Sequence, residues 1–155
     1  MTDASMFDPQ SFLEATLDAP TERRPPLPVD RDYTALIGEV KSRVWTKRDD
    51  PSKNGIAWDI PLTIEVPADM QSDFGLPPTI PLPAGIFIDV TPQGTIDNAP
   101  GRNSGLRRYR EATNMNNPGD SFSARKMQGV AVKVKIKHEL YMEQIQERIA
   151  GVAKL

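Results

Sequence analysis

Lys133, Lys135 and Lys137 alternate with Val132, Val134 and Ile136 in a stretch that begins at Val130 and runs Val-Ala-Val-Lys-Val-Lys-Ile-Lys. Side chains on a strand point to alternate faces, so the aliphatic set shares one face and the ammonium groups share the other, roughly 6–7 Å apart. That pitch is close to the step between phosphates in an extended single strand of nucleic acid. The same pattern serves equally as a solvated outer face whose charges guard against edge-to-edge aggregation. Further cations and flat rings stand elsewhere in the chain. Arg43 and Trp45 are two residues apart and share a face with Lys41; Lys47, Arg48 and Lys53 fall in the polar run that follows; Phe87 stands opposite Ile86 and Ile88. Holding a single strand regardless of its sequence takes cations that track the phosphates and rings that accept stacked bases, each worth about 1–3 kcal/mol. Arg43, Lys47, Arg48, Lys53, Lys133, Lys135 and Lys137 supply the first, Trp45 and Phe87 the second. The competing structural uses are capping the end of a barrel for Trp45 and cover by a helix or arm for Phe87.

Aromatic residues make up only 6% of the chain, and Trp58, Tyr33 and Tyr109 read as core, while Tyr141 in a turn is open to either use. Binding would then be more electrostatic than stacked, and strongly salt-dependent. Arg107, Arg108 and Arg110 span more than one face of a helix and read as a solvated or partner-docking surface. His138 follows the lysines but has the parity of the buried set, which suits a structural role.

Catalytic and metal chemistry is poorly represented. With no cysteine and one histidine, the chain lacks a thiolate nucleophile, disulfides and any Cys- or His-rich metal site, and a nucleophile–histidine triad is hard to build. Gly101-Arg102-Asn103-Ser104-Gly105 is not a phosphate-cradling loop, since no lysine follows it. Asp49-Asp50 is a turn rather than a paired acid and base. No enzymatic activity, cofactor or metal is expected.

The net charge of −2 hides an asymmetry. Residues 1–30 hold six acids against Arg23 and Arg24, and residues 101–137 hold nine bases against Glu111 and Asp120. A basic block in an acidic protein is the footprint of a polyanion, or the docking surface for an acidic arm. The 155 residues suffice for one domain with a real core. The 15 prolines are about twice the usual share and are clustered, pointing to irregular arms around a compact centre. No run is apolar enough to cross a bilayer and no signal-peptide pattern opens the chain, so no membrane association is expected.

The elements that must position these side chains follow in order. Asp8-Pro9 opens a short helix through Thr16, with Asp8 as cap. Residues 19–30 form an extended proline-rich arm. A first strand covers Tyr33 to Trp45, bent at Gly38, and Thr46 to Gly55 is a hairpin loop. The second strand, Ile56 to Val66, turns Ile56, Trp58, Ile60, Leu62, Ile64 and Val66 one way, with Pro61 marking an edge or bulge. Pro67 to Ala84 is a long irregular connection. A third strand covers Gly85 to Val90, and a helix Leu106 to Asn114 turns Leu106, Tyr109 and Thr113 to the core. The lysine row is the fourth strand, Gly129 to Glu139; Leu140 to Met142 turns, and Glu143 to Val152 is the fifth. Three strands, a helix and a closing hairpin match the OB-fold, a five-stranded Greek-key barrel. Residues 1–30 are thus an arm and 31–155 a mainly β domain with an insertion at about 67–84.

The segments Asp32-Tyr33-Thr34-Ala35, Leu106-Arg107-Arg108-Tyr109-Arg110-Glu111-Ala112, Asn117-Pro118-Gly119, Gly129 to Glu139, and Gly151-Val152-Ala153-Lys154-Leu155 carry a resemblance. Together they resemble a family of small bacteriophage OB-fold single-stranded-DNA-binding proteins found among replication and recombination genes. The likeness covers roughly residues 30–155 apart from the proline-rich connection. It implies non-sequence-specific binding of single-stranded DNA in the host cytoplasm, with the first hairpin loop as one wall of the cleft. It also implies contact with other phage replication or recombination proteins. Bacterial single-strand binders usually end in an acidic recruiting tail, whereas this chain ends Ala-Lys-Leu, so recruitment would fall to the acidic N-terminal arm. The alternative is a structural protein of a virus particle, a homo-oligomer whose arm and proline-rich connection embrace neighbouring subunits. A third use is a module that docks another replication protein.

Overall fold

Alternation in the sequence becomes strand burial in the structure. In β3 (Asp50–Glu65) Trp58, Ile60, Leu62 and Ile64 are buried, and in β5 (Ala131–Tyr141) so are Val132, Val134 and Ile136. The computed structural model describes residues 3–155; Met1 and Thr2, the start of the expected arm, lie outside the described residues. β1 (Tyr33–Ile37), β2 (Lys41–Lys47), β4 (Thr79–Ile88) and β6 (Gln144–Ala153) complete one antiparallel sheet of six strands, joined by helices α1 (Ala68–Phe74) and α2 (Ser104–Ala112). β1 and β2 pair in succession along one side of β3, β4 pairs along its other side, and β5 links β1 to β6. β4 and β6 approach each other and α2 packs against both, but no hydrogen-bonded ladder joins them. The expected five-stranded barrel is therefore a six-stranded sheet left open along one seam.

The extra strand arises from one residue pair. The run expected as a single strand from Tyr33 to Trp45 divides at Gly38, whose N–H donates to the Pro61 carbonyl at 2.8 Å. A Cβ on Gly38 would stand 3.0 Å from Pro61 Cγ, so glycine permits the close approach that bends the chain. Pro61, with no N–H to offer, lies beside this break, as its composition required.

Three expected boundaries need correction. Pro67 to Ala84 is not an irregular connection: it holds α1, stopped by Gly75 in the left-handed region (φ 67°), and the first half of β4. Pro81 pairs with Thr63 and Pro83 with Pro61. Two prolines facing each other cannot be a hydrogen-bonded pair, so both lie at positions whose missing N–H would point away from the ladder, and the strand tolerates them. The loop expected over Thr46 to Gly55 is mostly paired strand: Trp45 faces Gly55 and Thr46 faces Asn54, the turn lies at Arg48-Asp49, and a register shift accommodates Pro51 to Lys53. The last turn is Met142-Glu143 rather than Leu140 to Met142; both residues have positive φ (50° and 62°), the geometry of a two-residue hairpin.

The helix expected at Leu106 to Asn114 is α2, and Leu106, Tyr109 and Thr113 are buried. The preceding loop is held by Asn103, whose side-chain amide donates to the carbonyls of Asp89 and Asp97 while its oxygen accepts from the Asp89 N–H. Asn103 is buried with every polar atom partnered, so it fixes where α2 starts. At the N-terminus, Pro9–Leu13 is a 3-10 turn capped by Asp8, shorter than the expected helix. The arm beyond it has no regular structure until β1. It is nonetheless anchored: Leu27 is fully buried, its N–H donates to Glu147 at 2.7 Å, and Tyr33 Oη donates to the Pro28 carbonyl at 2.6 Å. Among the described residues no helix is long and apolar enough to cross a membrane.

Candidate nucleic-acid interface

The outer face of β2, β3 and β4 brings together residues far apart in sequence. Arg43 pairs across to Ala57, which pairs to Phe87, and Trp45 lies over Gly55 on the same face. A Cβ on Gly55 would stand 2.8 Å from Trp45 Nε1; the glycine lets the indole lie flat on the strand. Trp45 and Phe87 meet edge to face, with ring centroids 5.4 Å apart and planes at 63°. Phe87 remains 70% exposed, so neither α2 nor the arm covers it. Between Phe87 and Arg43 lies a recess of about 180 Å³ floored by Ala57. Asp59 Oδ2 accepts from Arg43 Nε at 2.8 Å and holds the guanidinium at its rim. Lys47 pairs loosely with Asp49 at 3.9 Å, while Arg48 and Lys53 are exposed at the end of the β2–β3 hairpin.

Lys133, Lys135 and Lys137 line the outer face of β5 as the alternation requires, and all three are exposed. The acidic arm does not cover them. It docks on the other face of the β5–β6 hairpin, where Arg24 holds Glu147 at 2.5 Å and His138 Nε2 lies 2.7 Å from the Leu27 carbonyl oxygen. His138 is thus structural, as its parity suggested, although it clasps the arm rather than filling the core. Asp32 reaches the row, 3.2 Å from Lys135, and Glu139 lies 3.0 Å from Lys137 and 3.4 Å from Arg148. The Lys137 ammonium, then Arg148, holds the Glu139 carboxyl below its ordinary range. Lys133 makes no ion pair among the described residues.

The structure divides the Arg107–Arg110 cluster into three fates. Arg107 pairs with Glu111 at 3.6 Å, and Arg110 stacks over Phe122 and donates to the Met115 carbonyl. Arg108 instead lines the open seam between β4 and β6, together with Lys137 and Arg148. Neither Arg108 nor Arg148 stood out in the sequence as a binding residue. Arg148 had a usable signal, since it precedes Ile149 in an alternating strand and so falls on the outer face. Nothing in the sequence placed α2 against the seam.

Among the described residues no group of three or more His, Cys, Asp or Glu side chains is arranged to hold a metal ion. The cations and rings named above can neutralise phosphates and accept flat bases. No protein-family model and no curated protein matches this chain.

Proposed function

We propose that this chain is a non-sequence-specific single-stranded-DNA-binding protein of a bacteriophage, supporting replication or recombination, on an OB-like body opened at one seam. The observation that carries this is the Trp45–Phe87 pair, Phe87 exposed and Trp45 half-buried, flanked by Arg43, on a body whose Lys133–Lys135–Lys137 face the acidic arm leaves uncovered. Rings that accept bases and cations that follow phosphates are the two requirements of a single-strand site. The strand order supports the OB-like description: β1 and β2 read as one OB strand divided at Gly38, α2 lies between β4 and β5, and β5–β6 is the terminal hairpin. Contact with other replication proteins would use the acidic segment before Arg23, whose Met6, Phe12, Leu13 and Leu17 are exposed.

Titration with oligo-dT tests this directly. Binding should quench tryptophan fluorescence and weaken steeply with salt, log K falling by about 0.7 per neutralised phosphate for each unit of log salt. Trp45→Ala should cost about 1–3 kcal/mol, and Lys133→Glu, Lys135→Glu and Lys137→Glu together should abolish binding. Unchanged affinity in the triple variant removes the lysine row from the site. The exposed apolar side chains of the N-terminal segment also favour a second use, a structural protein of a virus particle that grips its neighbours. A large assembly seen by light scattering, with no affinity for oligo-dT, would establish that alternative instead.

A further inference from the structure

The seam between β4 and β6 is a cleft of about 520 Å³. It exists because no ladder closes the sheet there and because Gly85, Gly105 and Gly151 put no side chains into it. At Gly105 a Cβ would stand 3.1 Å from Ile86 Cγ2, so glycine is what lets α2 lie close under the opening. The floor is apolar and aromatic, from Ile86, Tyr109 and Ile149, and the rim carries Arg108, Lys137 and Arg148.

Resting on the single-strand assignment above, we propose that this seam is a second nucleotide subsite. Arg108 of α2 and Arg148 of β6 hold the phosphodiester of a DNA strand that continues from the Trp45–Phe87 pair toward the lysine row. Continuity supports the path: Asp59, Gly85 and Ile86 line both the seam and the recess beside Phe87, and Lys137 belongs to both the seam and the row. Charge supports it too. Arg43, Arg108, Lys137 and Arg148 border the combined groove against two carboxylates, Asp59 and Glu139. Asp59 is engaged by Arg43, and Glu139 is shared by Lys137 and Arg148, so Arg108 makes no ion pair among the described residues. A guanidinium without a partner beside a second one suits the two free oxygens of a phosphodiester, which arginine holds by a fork of N–H donors. The apolar floor then receives the sugar and base.

The experiment compares short oligo-dT, which spans only the aromatic pair, with oligo-dT long enough to pass through the seam. The double variant Arg108→Glu with Arg148→Glu should bind the long oligonucleotide at least about tenfold more weakly, with a salt slope reduced by about 1–2. The short oligonucleotide should bind it as it binds wild type. Equal long-strand affinity in the double variant, with loss in the lysine triple variant, overturns the seam subsite and leaves the single-strand assignment standing. Absence of any binding by wild type overturns both. Should the double variant misfold, wild-type protein photocross-linked to oligo-dT containing 4-thiothymidine decides the matter. Adducts on Tyr109, Arg108 or Arg148 support the subsite; adducts confined to Trp45 and Phe87 overturn it.

Discussion

Glu139 engages two cations at once, since its carboxylate lies 3.0 Å from Lys137 and 3.4 Å from Arg148. Because Lys137 and then Arg148 keep that carboxyl below its ordinary range, it is ionised at neutral pH and opposes any phosphate that approaches. Glu139→Gln removes one negative charge and releases two cations without changing side-chain size. Binding of oligo-dT should strengthen about three- to tenfold at low salt, and the salt slope should steepen by about 0.7 if one more phosphate is neutralised. Unaltered affinity would mean that the strand does not pass Lys137. Most of this geometry was legible one strand at a time. Alternation placed Lys133, Lys135 and Lys137 on the outer face, and the two-residue spacing put Arg43 beside Trp45. The meeting of Trp45 with Phe87 was not legible, because it depends on the register that sets Arg43, Ala57 and Phe87 in one row. Nor was the sharing of Glu139 between Lys137 and Arg148, because Arg148 comes from the next strand across a register shift at Lys135/Ile136.

The arm from Arg23 to Pro28 works as a clasp on the β5–β6 hairpin. Arg24 contacts both oxygens of Glu147, and Leu27 is held through its own N–H and C=O while its side chain is fully buried. Among the described residues, every hydrogen bond of the segment before Arg23 is local to it. Removing residues up to Glu22 should therefore leave thermal stability nearly unchanged, whereas Leu27→Ala should cost about 2–5 kcal/mol, as other buried leucine truncations do. Urea denaturation of the two proteins checks the contrast; equal stability would show that the clasp does not hold in solution. The arm itself was readable from its prolines, but its anchor was not. Leu27 sits between Pro26 and Pro28, where no periodicity distinguishes a buried side chain from an exposed one. Prolines misled the reading of β4 for a related reason: composition registers their missing N–H, whereas tolerance depends on which way that N–H would have pointed. The Met142-Glu143 turn was hidden because neither residue type advertises positive φ.

Over the whole molecule the acids of the segment before Arg23 enter no ion pair among the described residues, while the cations gathered on β5 and around the seam meet only Asp32 and Glu139. The open seam also brings solvent close to the core, and Tyr109 stands at that boundary. Its ring is buried, it lines the seam, and burial pushes its phenol up to about 12. The ordinary value is near 10. Between those values the unfolded chain releases the phenolic proton while the folded chain keeps it, so the folded state binds more protons and stability falls as pH rises through this window. The contribution is fully present below pH of about 10 and is lost by about 12, amounting at most to about 2–3 kcal/mol. Tyr109→Phe cannot titrate. Wild type should therefore lose about 1 kcal/mol more than the variant when urea denaturation is compared at about pH 9 and about pH 11. Tyr33, also raised mainly by burial, contributes to alkaline loss in both proteins and cancels from the comparison. Equal losses would place the Tyr109 hydroxyl in free contact with water through the seam, which would make the cleft deeper and wetter than its apolar floor implies.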